Sequence, residues 1–244
     1  MSIVNRLAGF YGYTSFLEIS TPTTGREFSE ADPALFTRME RLTYNLQSLW
    51  DAEPVDYRSD TLDIAEFVAE FERRGVRYDL VLVDPYHDYA CSARDLDLAW
   101  RILNDNGTIV VHDCMPPHGG GMISPTFVSG SWCGVTFIAY VDFLMKKSPR
   151  FVTVDCDYGC GVIRRGKDPD NSLDAHRYQW SSVRGNPDEA LKFLLDHKKE
   201  LLHLQSSRAF KRAHPLPVGK QWSSWRHRFK VLARIGRQQS IAMR

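Results

Sequence analysis

Four ionisable residues stand in two tight groups: Asp84 with His87, and His112 with Asp113. A carboxylate beside an imidazole can move a proton near neutral pH, because the reference pKa of imidazole lies there. The same residue types can instead hold a divalent cation that lowers the pKa of a bound hydroxyl. Both chemistries fit these residues. A histidine among the ligands is less usual for Mg2+ than an all-oxygen set. Singly, each residue has an ordinary structural use: Asp84 can cap a helix, Asp113 can stabilise a turn, and a lone histidine after a strand is more often hydrogen-bonded scaffold. Their joint position at two strand ends is what argues for a site.

The surrounding pattern supplies those strands. Tyr78 to Val83 is an apolar run too short for a typical helix, and it stops at Asp84. Ser92 to Leu103 carries Leu96, Leu98, Ala99, Ile102 and Leu103 at helical spacing, which predicts a helix. Asn104-Asp105-Asn106-Gly107 reads as a turn, and Thr108 to Val111 as a second buried strand. Two nearly continuous apolar strands joined by a helix describe a βαβ unit in a parallel sheet covered on both faces. Ligands of such sheets sit just beyond the carboxyl ends of the strands.

Upstream, residues 3–10 suggest a short helix and Ser15 to Ile19 a first strand, which enters the hydroxyl-rich loop Ser20 to Gly25. That loop can offer backbone N–H groups and hydroxyls to a polar ligand, or it can be a plain turn. Phe36 to Tyr44 is read as a second strand, Asp56 to Asp60 as a third, and Ile64 to Arg74 as a helix stopped at Gly75. Asp60 can face a cofactor from its strand end or cap the helix that follows. Met115 to Gly134 is a long loop in the position of a substrate cover, with Trp132 and Tyr86 as candidate pocket walls. Val135 to Lys147 is a predicted helix. Phe151 to Cys156 and Gly161 to Arg164 are predicted strands around the turn Asp157-Tyr158-Gly159. Asn186-Pro187-Asp188-Glu189 opens a helix running to about Leu204.

Composition narrows the function classes. With 43% hydrophobic and 25% charged residues over 244 positions, the chain suits one globular α/β unit with additions. No apolar run approaches a membrane span and no signal-peptide pattern opens the chain, so the expected location is cytoplasmic. The five cysteines are odd in number and lack zinc-ligand spacing, which favours free thiols. A net charge of +1 hides an asymmetry: residues 206–244 hold ten Lys or Arg and no acid, leaving 21 basic against 30 acidic residues elsewhere. Trp222, Trp225, Phe229 and Leu232 recur at helical spacing among those arginines. Such a helix can pack on the body or meet an anionic surface, nucleic acid or a partner. A nucleic-acid function would rest on this tail alone. A dinucleotide-dependent dehydrogenase is disfavoured, since no G-x-G-x-x-G is present.

Several of these residues together resemble a known family. Phe16-Leu17-Glu18-Ile19 with Thr24-Gly25, Tyr78 to Asp84 with His87 and Tyr89, then Asp95, Leu103, Gly107 and Val110-Val111-His112-Asp113 resemble class I S-adenosylmethionine-dependent methyltransferases. The likeness is to the branch with "IDG-x-H-x-Y" and "HD" strand ends, and Val154 to Ile163 resembles its closing hairpin. It spans roughly residues 16–165. The resemblance implies a Rossmann-like, doubly wound α/β fold, mostly parallel, with a C-terminal antiparallel hairpin; the residues beyond it, which the resemblance does not cover, read as a C-terminal helical extension. The corresponding division is 1–166 as the α/β domain, 167–205 as helices packed on it, and 206–244 as a basic amphipathic tail. It implies methyl transfer from S-adenosylmethionine to a hydroxyl of a small molecule. Cofactor contacts would come from Glu18, Ser20, Thr23, Thr24, Gly25, Asp60 and Asp84; catalysis from Asp84, His87 and His112. Mg2+ or another divalent cation would sit at Asp84, His112 and Asp113. A homo-oligomer is a further expectation. The first loop departs from the family's E-x-G-x-x-x-G, with Ser20 in place of the first glycine and Pro22 inside. No acidic residue is evident after the second strand. The rival reading is a methyltransferase fold that no longer binds cofactor and serves as a binding or scaffolding protein.

Overall fold

The apolar runs assemble into one mixed sheet in the computed structural model, which describes residues 3–22, 26–45, 55–117, 120–167 and 172–216. Thr23, Thr24 and Gly25 of the first loop, and the aromatic stripe from Trp222 to Leu232, lie outside the described residues. The strands are β1 (Ser15–Ser20), β2 (Arg38–Thr43), β3 (Tyr57–Arg58), β4 (Tyr78–Asp84), β5 (Leu103–Val111), β6 (Pro149–Asp155), β7 (Cys160–Lys167) and β8 (Gln205–Ser206). Their order across the sheet is β3-β2-β1-β4-β5-β7-β6-β8. The pairs from β3 to β5 are parallel, β7 runs antiparallel between β5 and β6, and β8 joins β6 in parallel. The fold is therefore α/β, mostly parallel, with an antiparallel pair after the βαβ core.

Nine α-helices accompany the sheet among the described residues: α1 (Ile3–Tyr11), α2 (Arg26–Glu30), α3 (Ala65–Arg74), α4 (Tyr89–Ile102), α5 (Thr136–Lys147), α6 (Arg177–Val183), α7 (Pro187–Asp196), α8 (Lys198–Leu202) and α9 (Ser207–Ala213). None is long and apolar enough to cross a membrane. Alternation along the strands gives the sheet two apolar faces. Leu17, Ile19, Val81, Val83, Ile109 and Val111 pack with residues of α3, α4, α5, α7 and α8. Phe16, Leu80, Leu82 and Val110 face the other way, against Val4 and Leu7 of α1 and Phe210 of α9. The chain expected to begin a separate tail at residue 206 thus first adds Ser206 to the sheet and buries Phe210.

Two expected elements differ, each for a local reason. Asn104 to Gly107 is not a turn between elements but part of β5. Tyr78 pairs with Leu103 and Leu80 with Thr108, so the four residues bulge opposite Asp79. The Asn104 side chain donates to Asp79 Oδ1 at 2.7 Å, and Gly107 is packed so closely that a Cβ would lie 2.8 Å from the Asp79 carbonyl oxygen. The helix expected from Asn186 to Leu204 breaks at His197 (φ −115°, ψ 25°), which ends α7 and precedes α8.

Asp79 also ties the entry of β1 to β4. Its Oδ2 accepts from the backbone N–H groups of Thr14 and Ser15 at 2.9 and 3.0 Å and from Ser15 Oγ at 3.0 Å. Burial would raise this carboxyl, but the donors on it outweigh that and hold it below its usual 3.8. A lowered carboxyl contributes stability above its unfolded pKa and loses it as pH falls through the folded one. Asp79→Ala is expected to cost about 2 kcal/mol at pH 7 in urea unfolding. The gap between the variant and the parent should shrink below pH 3.8.

Candidate active site at the carboxyl edge of the sheet

Because β1, β4 and β5 are parallel, their carboxyl ends share one edge, and β6 ends there as well because β7 is antiparallel to both β5 and β6. Asp84 is the last residue of β4. Beyond β5, the His112 N–H continues the ladder to the Val83 carbonyl at 3.0 Å, and the chain then turns at Asp113 with φ 59°. That left-handed conformation costs an L-residue energy, is tolerated best by Asn, Asp and Gly, and aims the Asp113 carboxylate back toward β4. Asp88, rather than Asp84, caps α4 by accepting from Cys91 N, which leaves Asp84 to the edge.

His87 lies between the two carboxylates. Its Nε2 is 3.1 Å from Asp113 Oδ2 and 3.4 Å from Asp84 Oδ1, while its Nδ1 is 2.5 Å from the Trp132 carbonyl oxygen. Asp84, His87 and Asp113 are all buried, and one potential ligand atom of each lies within 4.8 Å of the others. His112 approaches the same carboxylates with Nδ1, 3.1 Å from Asp113 Oδ1 and 3.8 Å from Asp84 Oδ1. Its Nε2 lies 3.2 Å from Asp157 Oδ2. His112 Nδ1 and Asp113 Oδ1 are buried, yet neither has a partner in hydrogen-bonding geometry. The two atoms face each other at 3.1 Å without hydrogen-bond alignment, and a nitrogen beside a carboxylate oxygen suits a cation ligated by both once the ring is neutral. The nitrogen and oxygen donors at this edge therefore fit a divalent metal ion.

The protonation balance has the same cause. Burial alone would depress both imidazoles. For His87, the carboxylates of Asp84 and Asp113 reverse this and raise the pKa. For His112, Asp113, Asp157 and Asp84 hold it up to about 11. Asp157 was visible in the sequence only as part of a turn. Its contribution depends on the hairpin from β6 meeting the end of β5.

The described part of the loop before Gly134 closes one side of this edge. Trp132 packs its ring 5.3 Å from that of His87 and 5.2 Å from that of Tyr86, and Trp132 Nε1 donates to the Ser124 carbonyl at 2.7 Å. Gly134 has φ 55°, and a Cβ on it would lie 1.9 Å from the His87 carbonyl oxygen, so only glycine fits there. The structure thus brings both expected pocket residues, Tyr86 and Trp132, to His87.

The β1 side differs in character. Glu18 is opposite Arg41 in the β1–β2 register, and the pair is buried with Arg41 Nε 2.9 Å from Glu18 Oε1. Ser20 Oγ donates to Glu18 Oε1 at 2.9 Å and accepts from Arg41 Nε at 3.3 Å. Arg41 went unremarked in the sequence because an arginine in a polar strand has no distinctive spacing. Beyond β2, where no acid was evident, Tyr44 is fully buried; its hydroxyl donates to Asp95 at 2.6 Å and accepts from Tyr86 N at 2.7 Å. Asp60 is exposed in the turn after β3, and the capping contact there is made by Asp63, whose Oδ1 accepts from Ala65 N at 2.8 Å.

Glu18 is raised from 4.5 to about 7, chiefly by burial, which Arg41 and Ser20 only partly offset. An acid with a raised folded pKa loses stabilisation as pH climbs from its unfolded to its folded value. Urea unfolding of the parent and of Glu18→Gln should therefore show the parent losing ground between pH 4.5 and about 7, and a constant difference above that range. A difference independent of pH would mean that Glu18 is ionised throughout.

A family model described as a methyltransferase domain matches residues 44–114, the stretch that carries Asp84, His87, His112 and Asp113. No curated protein matches the chain by sequence. Among solved structures, the chain is similar to the O-methyltransferase TomG from Streptomyces achromogenes, crystallised with SAM. Identity is 14%, with 67% of this chain and 77% of that one covered and a TM-score of 0.41. An O-methyltransferase from Bacillus cereus in complex with SAH shows 10% identity, 66% and 79% coverage and a TM-score of 0.44. MycE, from the mycinamycin biosynthetic pathway, in complex with Mg, SAH and mycinamycin VI, shows 15% identity, 64% and 46% coverage and a TM-score of 0.39.

Proposed function

We propose that the protein is an S-adenosylmethionine-dependent methyltransferase acting on a hydroxyl of a small molecule, with a divalent cation at the carboxyl edge of the sheet. The observation that carries this reading is the orientation of His87. A carbonyl oxygen only accepts, so Nδ1 facing Trp132 must carry a proton. Nε2 then faces two carboxylates. That arrangement needs positive charge between the groups, either a second ring proton or a cation. Without a cation the carboxylates keep a proton on His112 at neutral pH, so either role for that ring, base or metal ligand, begins with loss of that proton. The methyltransferase-domain match over residues 44–114 supports the reaction class.

S-adenosylmethionine supplies a methyl group already activated by its sulfonium, and a bound divalent cation would lower the pKa of the acceptor hydroxyl. The chain's own task is then to place the acceptor oxygen in line with the methyl carbon and to receive its proton. Asp84, Asp113 and either His87 or His112 would hold the cation. Trp132 and Tyr86 would keep water from the reacting atoms. Glu18, Ser20, Thr23, Thr24, Gly25, Asp60 and Asp84 would contact the cofactor. The assignment of residues 1–166 to the catalytic unit, 167–205 to packed helices and 206–244 to contact with an anionic surface or partner belongs to the same proposal.

Calorimetric titration with S-adenosylmethionine tests the reading directly. Binding at micromolar to millimolar concentration is expected, and no binding at millimolar cofactor would leave the scaffolding alternative. Asp84→Ala and Asp113→Ala should each reduce methyl transfer at least about 100-fold, as should EDTA, with recovery on adding Mg2+ or Mn2+ only in the parent. Full activity in EDTA would return the proton to a histidine.

A further inference from the structure

The turn that delivers Asp157 to His112 is bracketed by two reduced cysteines, Cys156 and Cys160. Val154 pairs with Cys160 across β6 and β7, and Cys156 follows in the turn, where its carbonyl accepts from Gly159 N at 2.8 Å. The Cys160 S–H points to the Cys156 carbonyl oxygen, 3.8 Å from its sulfur, so the two cysteines meet across the turn, and the Ser207 hydroxyl donates to the adjoining Asp155 carbonyl at 3.0 Å. Cys160 is buried and Cys156 half-buried, so an attacking reagent meets Cys156 first. The turn itself is under backbone strain. Asp157, Tyr158 and Gly159 all have positive φ, at 45°, 58° and 85°, and two of the three are not glycine. It is held in that form by docking on the end of β5, where Cys114 N and Met115 N donate to the carbonyls of Gly159 and Tyr158 at 2.9 and 2.7 Å.

We propose that Cys156 and Cys160 are a redox-active pair: a hydroperoxide oxidises them to a disulfide, and closing that bond shifts the strained turn and withdraws Asp157 from His112. In the first step the Cys156 thiolate attacks the peroxide oxygen, the O–O bond breaks, and sulfenic acid and an alcohol, or water from hydrogen peroxide, are formed. In the second the Cys160 sulfur attacks the sulfenic sulfur, the S–S bond forms, and the sulfenic oxygen leaves as water with the Cys160 proton. Two thiols are oxidised by two electrons and one peroxide is reduced; a dithiol reverses the change. The adjacent Cys160 and Ser207 side chains lower the Cys156 thiol to about 7, which supports its role as the attacking sulfur. The other three cysteines, Cys91, Cys114 and Cys133, are buried with thiols pushed up by burial, which makes them poor competitors.

The test uses the reduced full-length chain and hydrogen peroxide at one to a few equivalents. The parent should become about 2 Da lighter, with the bond mapped to Cys156–Cys160 by peptide mass spectrometry, and dithiothreitol should restore the starting mass. Cys160→Ser should stop at sulfenic acid, captured by dimedone on Cys156, and Cys156→Ser should give neither product. Dimedone on a different cysteine, a bond elsewhere, or no oxidation of the pair would overturn the proposal. The effect on the edge is read by methyl transfer, which should fall several-fold on oxidation and recover with dithiothreitol. Bond formation with unchanged methyl transfer would overturn the coupling to Asp157. This second readout rests on the methyltransferase reading; the mass measurements do not, so failure of that reading and failure of the redox pair are distinguishable.

Discussion

Three carboxylates and two imidazoles meet where the strands of this sheet end, and the negative charge collected there has to be balanced within a mostly buried space. Asp84, Asp113 and Asp157 surround His87 and His112 at distances of 3.1 to 3.8 Å. Carboxylates this close together repel one another strongly out of water, so the cluster persists only with cations among them. Protons on the imidazoles supply that charge in one state, and a divalent ion can replace them in another. The direction of both histidine pKa shifts is the signature of this imbalance.

The fold maintains the imbalance through ordinary backbone devices. Parallel pairing of β1, β4 and β5 fixes which ends coincide, and the hydrogen bond from His112 N to Val83 O extends that pairing to the first site residue. The left-handed turn at Asp113 and the docked, strained turn at Asp157 then bring two carboxylates in from outside the parallel strands. On the far side, Gly134 admits the His87 carbonyl at a distance no side chain would allow, and this anchors the aromatic loop over the imidazole. The Glu18–Arg41 pair one strand away is a separate electrostatic unit. It is enclosed within the sheet, where burial favours the protonated Glu18 carboxyl, and it engages the Ser20 hydroxyl.

Much of this was legible in the residues. The short apolar runs around residues 78–83 and 108–111 gave the βαβ core because buried parallel strands leave a nearly continuous hydrophobic trace. The pairs Asp84/His87 and His112/Asp113 could be placed at one edge for the same reason. Asn104 to Gly107 misled because turn chemistry and a wide bulge use the same residue types; which one forms depends on whether a partner such as Asp79 accepts the side chain. The helix after Asn186 looked continuous because its leucine spacing is continuous, and nothing local marks His197 as its break.

Sequence by itself determined the strand–helix–strand core, the chemical types at its carboxyl edge and the acid–base character available there, since these follow from periodicity and side-chain identity. Tertiary structure decided which groups face each other. It placed His87 Nε2 between two carboxylates, drew Asp157 to His112 from a hairpin some 45 residues along the chain, put Tyr44 where an acid was sought, and set the Cys160 thiol on the Cys156 carbonyl across one turn. Contacts between residues distant in sequence depend on register and on loop docking, and neither leaves a local pattern to read.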